Sequence, residues 1–110
     1  MGRQAIGLRP YARDALELLG HYVRTARTNR RMTQAELASL AGCSTRTVMQ
    51  VERGNPAVST GVAFNICSLL GVDLFVPDPQ VLAKLNRDAR TITALLPSAV
   101  RPEEDLDVEF

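Results

Sequence analysis

The 110-residue sequence has no tryptophan, one histidine and two cysteines, and each scarcity removes a class of chemistry. His21 is the sole imidazole, and Cys43 and Cys67 lack the paired spacing of a zinc site, so a tetrahedral metal centre has almost no ligands and no cofactor is expected. Cys67 falls in an apolar helical pattern and Cys43 in a tight turn, so both read as reduced thiols packed as small hydrophobes. Long hydrophobic runs are also missing. Stretches such as residues 72–77 fall far short of the roughly 20 residues needed to cross a bilayer. The start, MGRQAIGLRP, has no apolar stretch followed by a small-residue cleavage site, so no secretory signal is expected and the default address is cytoplasmic. There is no glycine-rich phosphate loop and no nucleophile motif, which argues against an enzyme.

Apolar residues make up 45% and charged residues 23%, the balance of a chain that folds around one core. Net charge is only +1, but its distribution is uneven. Residues 1–53 carry nine arginines against Asp14, Glu17, Glu36 and Glu52, a surplus of +5. Residues 54–110 carry Lys84, Arg87, Arg90 and Arg101 against eight acids, a deficit of −4. A basic half that meets a polyanion and an acidic half that avoids it would produce this asymmetry.

Hydrophobic spacing predicts five helices and an all-α fold. From Tyr11 to Asn29, Ala12, Ala15, Leu16, Leu18, Leu19, Tyr22, Val23 and Ala26 recur at three- and four-residue steps, with Pro10 placed to start the helix. Gly20 interrupts that stripe, which predicts close packing or a bend. Thr33 and Glu36 have the spacing of a capping box, and Gly42 ends the second helix after barely two turns. Ser44 can cap a third helix whose inward side is Val48 and Val51, and Gly54 closes it. Ser59 or Thr60 starts a fourth whose core side is Val62, Ala63, Ile66, Leu69 and Leu70, stopped by Gly71. The run VDLFV is β-branched and aromatic, so residues 72–76 are a candidate short β segment or a lead-in to the next helix. A fifth helix is expected from Gln80 to Leu96, ended by Pro97. The acidic tail beyond it has too few apolar residues to offset its ordering entropy and is expected to be flexible.

The stretch YVRTARTNRRMTQAELASLAGCSTRTVMQVERG resembles the xenobiotic-response-element (XRE) class of helix-turn-helix domains, which includes phage repressors and Cro. Matching parts are R-x-x-R-x-x-T-Q-x-E-L-A, the turn A-G-C-S, and V-E-R-G before a helix finishing L-L-G-V. The resemblance covers residues 11–76, after an N-terminal extension of residues 1–10. It implies a lambda-repressor-like five-helix DNA-binding domain in which helices 2 and 3 form the motif. The third helix would lie in the major groove with its first turn against base edges. Thr45, Arg46, Thr47 and Gln50 are the candidate base contacts, Arg46 to guanine and Gln50 to adenine. Gln34, Thr33, Ser44, Arg30, Arg31 and Arg53 are the candidate phosphate contacts, joined by Arg24 if it faces the same way. Arg27 and Glu52 occupy positions that form a structural ion pair in similar domains.

A single module of this kind reads few base pairs, so the resemblance implies a homodimer on a palindromic operator of double-stranded DNA. Phe75, Val81, Leu85, Ile92 and Leu95 are the candidate dimerisation residues, within a C-terminal element of residues 77–97. The alternative is that the fifth helix folds back on its own core. The order of elements, with LGVDLF at Leu70–Phe75, is similar to HipB-type antitoxins, which implies autoregulation of a shared operon and a HipA-like kinase toxin as partner. A stand-alone repressor without a toxin, and a protein-binding adaptor that retains the fold, are the competing readings. The tail of residues 98–110 would either order on a partner or serve as a solvating segment.

Overall fold

The computed structural model describes residues 7–100, so the expectations for the first six residues and for the acidic end from residue 101 fall outside the described residues. Five helices follow in order: α1 (Pro10–Asn29), α2 (Gln34–Ala41), α3 (Thr45–Glu52), α4 (Thr60–Leu70) and α5 (Pro79–Ala94). The chain divides between Leu74 and Phe75 into two compact units.

Local chemistry sets the helix ends of the first unit. Pro10 occupies the first turn of α1, where its missing N–H costs nothing. The Thr33 hydroxyl accepts from the Glu36 N–H at 3.0 Å, and the Glu36 carboxylate accepts from the Thr33 N–H at 2.8 Å. Two orphan donors are thus satisfied at the start of α2. Ser44 and Ser59 cap α3 and α4 through their hydroxyls. Gly42 and Gly71 end α2 and α4 in the left-handed conformation, at φ of 69° and 70°.

One core ties these four helices together. Val23 of α1, Leu37 and Ala38 of α2, Val48 and Val51 of α3, and Ile66, Cys67 and Leu70 of α4 are all buried. Each fully buried aliphatic side chain contributes about 1.5–3 kcal/mol relative to exposure. Helix α1 approaches α3 tightly at Gly20, where a Cβ would sit 2.5 Å from the Glu52 carbonyl oxygen and 2.7 Å from that of Val51. Of the two expectations for this glycine, close packing describes it. Cys67 is buried and Cys43 half-buried, both as free thiols, and burial pushes both thiol pKa values up.

The candidate β segment at residues 72–76 does not form a continuous strand: Leu74 and Val76 are isolated β-bridge residues. Phe75 between them takes a φ of 67°, outside the extended region, and so breaks the run of pleated backbone. In the second unit, Asp78 caps α5 by accepting from the Gln80 N–H at 2.8 Å, and Pro79 fills the first turn. The helix ends at Ala94, two residues earlier than the apolar pattern suggests. The Leu96 N–H turns back to the Thr93 carbonyl at 3.1 Å, because Pro97 has no N–H and disfavours helical backbone in the residue before it. No residue of α5 is buried.

Candidate nucleic-acid interface

The third helix is anchored from one side by Val48 and Val51, which leaves its other faces to solvent. Its first turn is fixed by Ser44, whose oxygen accepts from the Thr47 N–H at 3.1 Å and lies 2.9 Å from the Thr47 hydroxyl. Both hydroxyls are therefore engaged in the cap. Thr45 and Arg46, next to them, are exposed, and their side chains bond to no described residue. Gln50, one turn further, is half-buried. The structure thus brings the four expected base-contacting residues to one helix but separates them into two free side chains, one capping side chain and one partly shielded one.

A single network fixes the far end of this helix. Arg27 Nε donates to Glu52 Oε2 at 2.6 Å and Arg27 Nη2 to Glu52 Oε1 at 3.1 Å, a bidentate pair with side chains 14% and 6% exposed. Arg27 Nη1 donates to the Met32 carbonyl at 2.8 Å. Gln34 Nε2 donates to Glu52 Oε1 at 3.0 Å. One carboxylate therefore joins α1, the first residue of α2 and the last residue of α3. The hydrogen bond to Glu52 raises the Arg27 pKa further, against an opposing effect of burial.

Arg27 and Glu52 of this network themselves line an open groove, to which Arg24, Thr33, Gln34, Met49 and Arg53 also contribute. It combines the start of α2, where backbone N–H groups and the helix dipole favour an anion, with arginines from α1 and from the end of α3. Arg30 is not part of it. Its Nη1 folds back onto the Ala26 carbonyl at 3.2 Å, and it lines a separate hollow with Tyr22, Val72 and Asp73. Arg31 is exposed in the turn after α1 with a φ of 54°. Arg24 entered the sequence reading only conditionally, and Met49 and the Gln34–Glu52 bond escaped it, since no local spacing links positions 18 residues apart.

Two helices joined at a left-handed glycine, the second exposing a polar first turn, are the parts of a helix-turn-helix. A family model described as a helix-turn-helix domain matches residues 18–75. The chain belongs to this family. No curated protein matches the chain. The five-helix all-α arrangement has a lambda-repressor-like architecture, and domains of this family serve DNA-binding regulation and are non-catalytic. Among the described residues, no group of His, Cys, Asp and Glu could hold a metal ion, and no helix is long and apolar enough to cross a membrane. The match ends at Phe75, before α5 begins.

Proposed function

We propose that the protein is a sequence-specific transcriptional repressor that reads a palindromic operator as a homodimer. The observation that carries this reading is the exposure of Thr45 and Arg46 at the start of α3, beside a groove lined by Arg24, Gln34 and Arg53. Arg46 reads guanine in the major groove and Gln50 supports an adenine contact, each contributing about 1–3 kcal/mol of discrimination. Thr45 and Thr47 complete the base-facing surface. Gln34 has committed one amide hydrogen to Glu52 and offers the second to a phosphate, with Thr33 and Ser44 at the flanking helix starts. Arg53 and Arg24 supply sequence-independent attraction, while Arg30 and Arg31 act from outside the groove.

The experiment is a gel-shift titration across salt concentrations against a randomised duplex pool. A repressor enriches a palindrome and loses affinity steeply with salt. Replacing Arg46 by alanine should relax sequence preference while most non-specific binding persists. Absence of DNA binding at low salt would leave a protein-binding adaptor as the better reading.

Within that reading we place the protein with HipB-type antitoxins, on the strength of LGVDLF following α4 and of the added C-terminal helix. Autoregulation of an operon shared with a HipA-like kinase follows. A neighbouring kinase-like reading frame whose product co-purifies with this chain would support the antitoxin role. A neighbourhood without one favours a stand-alone repressor.

A further inference from the structure

The fifth helix presents a face that its own sixteen residues cannot bury. An isolated helix of that length is marginal in water, so its stability depends on covering the apolar side. Leu82, Leu85, Ala89, Ile92 and, just past the helix end, Leu96 follow one another at steps of three, four, three and four. That is the spacing of a helix–helix seam in which side chains of one helix enter holes of another. The four large members are 38%, 48%, 62% and 61% exposed, in chain order.

The two ends of this face are complementary. At the N-terminal end, Phe75, Pro79, Leu82, Leu85 and Ala89 line an apolar groove. At the other end, Ile92, Leu95 and Leu96 are exposed as bulky knobs. The small Ala89 lies midway. Lys84, Arg87 and Arg90 fall at positions away from the seam, Asp88 is tied to Lys84 at 2.7 Å, and the flanking Asn86 and Thr93 are uncharged. No unpaired charge would be trapped by a copy of the same helix.

We propose that α5 pairs antiparallel with α5 of a second copy, with the two-fold axis passing close to Ala89. Leu82 then meets Leu96 of the partner subunit, and Leu85 meets Ile92 of the partner subunit. The knobs of each copy fill the groove of the other, as an isologous interface requires. A parallel pair would instead set groove against groove and knob against knob. This inference rests on the dimeric reading of the operator and specifies the surface that makes the dimer.

The test is the oligomeric state of the full chain, followed by light scattering and sedimentation over a concentration series. Wild type should be a dimer at micromolar concentration. Leu85→Lys and Ile92→Glu should each raise the dissociation constant about 100-fold, since each buries an unpaired charge twice per dimer. The combination L85K/I92E should recover to within about tenfold of wild type, because the two new charges face each other across the antiparallel seam. As a second measure, Ala89→Cys should form an intersubunit disulfide at position 89 under mild oxidation. A monomeric wild type, single variants that dimerise normally, a combination that fails to recover, or no cross-link at position 89 would each overturn the proposal. Binding of the randomised duplex pool at low salt is measured in parallel. Its failure refutes the DNA reading and leaves the pairing judged by the oligomeric state alone.

Discussion

Replacing Gly20 by alanine sets two opposed effects against each other at one atom. In an exposed helix interior, alanine is favoured over glycine by about 1 kcal/mol. At position 20 the added Cβ would stand 2.5 Å from the Glu52 carbonyl oxygen, 2.7 Å from the Val51 carbonyl oxygen and 2.9 Å from the Glu52 carbonyl carbon. All three are backbone atoms, so no side-chain rotation relieves the contact. To reach ordinary contact at 3.4 Å, α1 and the end of α3 must separate by roughly 0.9 Å along the shortest of these vectors. Overpacking of this kind costs about 1–3 kcal/mol, and this case lies at the upper end because helix axes must move. The net expectation is a loss of about 2 kcal/mol, or a Tm lower by about 8–16 °C for a domain of this size. Thermal and urea unfolding followed by circular dichroism measure it. Gly61→Ala is the matched control, since Gly61 lies in α4 with only the Ser59 hydroxyl near, at 3.8 Å. It should stabilise by about 0.4–1 kcal/mol. A G20A protein as stable as wild type would refute the close contact between α1 and α3.

Arg27→Met should destabilise by about 3 kcal/mol in urea unfolding, because it strands the nearly buried Glu52 carboxylate with only Gln34 to bond it. The pH dependence of stability should carry a contribution from Glu36, whose carboxyl is held below its ordinary range by the Thr33 N–H and then by the Thr33 hydroxyl. That contribution is complete above the ordinary glutamate pKa and disappears as pH falls through the lowered folded value, so Glu36→Gln should flatten this part of the acid limb. The two thiols should separate in a timed modification assay. Cys43 reacts in the native state, whereas buried Cys67 waits for unfolding, and equal rates would contradict the packing of α4.

Features that depend on neighbours in sequence were legible before the fold was seen. A capping box needs only Thr33 and Glu36 three residues apart, and a helix stop needs only Gly42 or Gly71 after the last apolar position. The limits of α1 and the inward face of α3 follow from the same kind of signal, while in α4 Leu69, expected on the core side, is exposed and Cys67 is buried instead. Features that depend on distant backbone were not legible. Gly20 signals an exception in a helix, but nothing near it names the end of α3 as the cause. Gln34 reads as a residue at a helix start, and only the fold sets it against Glu52. Arg30 and Arg24 have similar sequence surroundings, yet one returns to its own helix and the other reaches the groove. The β-like composition of residues 72–76 yields only isolated bridges at Leu74 and Val76, because the left-handed Phe75 between them interrupts the extended backbone.

The near-neutral total charge is compatible with a nucleic-acid interface because the two acids on α2 and α3, Glu36 and Glu52, are committed locally. Glu52 would repel phosphate if exposed, but it sits at the end of α3 with two bonds from Arg27 and one from Gln34, so its charge is spent in holding the helix. Glu36 is tied to the Thr33 N–H at the start of α2. Arg24, Arg46 and Arg53 have no such intramolecular partner among the described residues and are exposed. An electrostatic field at a polyanion is set by charges within about a Debye length of 8–10 Å, not by the sum over a chain. Seven of the chain's twelve acids fall at residues 78–109, so they lower the total without belonging to the first unit. On the proposed interface, the same carboxylate that lowers the net charge fixes the end of α3, the helix that presents Thr45 and Arg46. Glu52 would then act there as a positioning device, and its arginine partner is the reason it can be one.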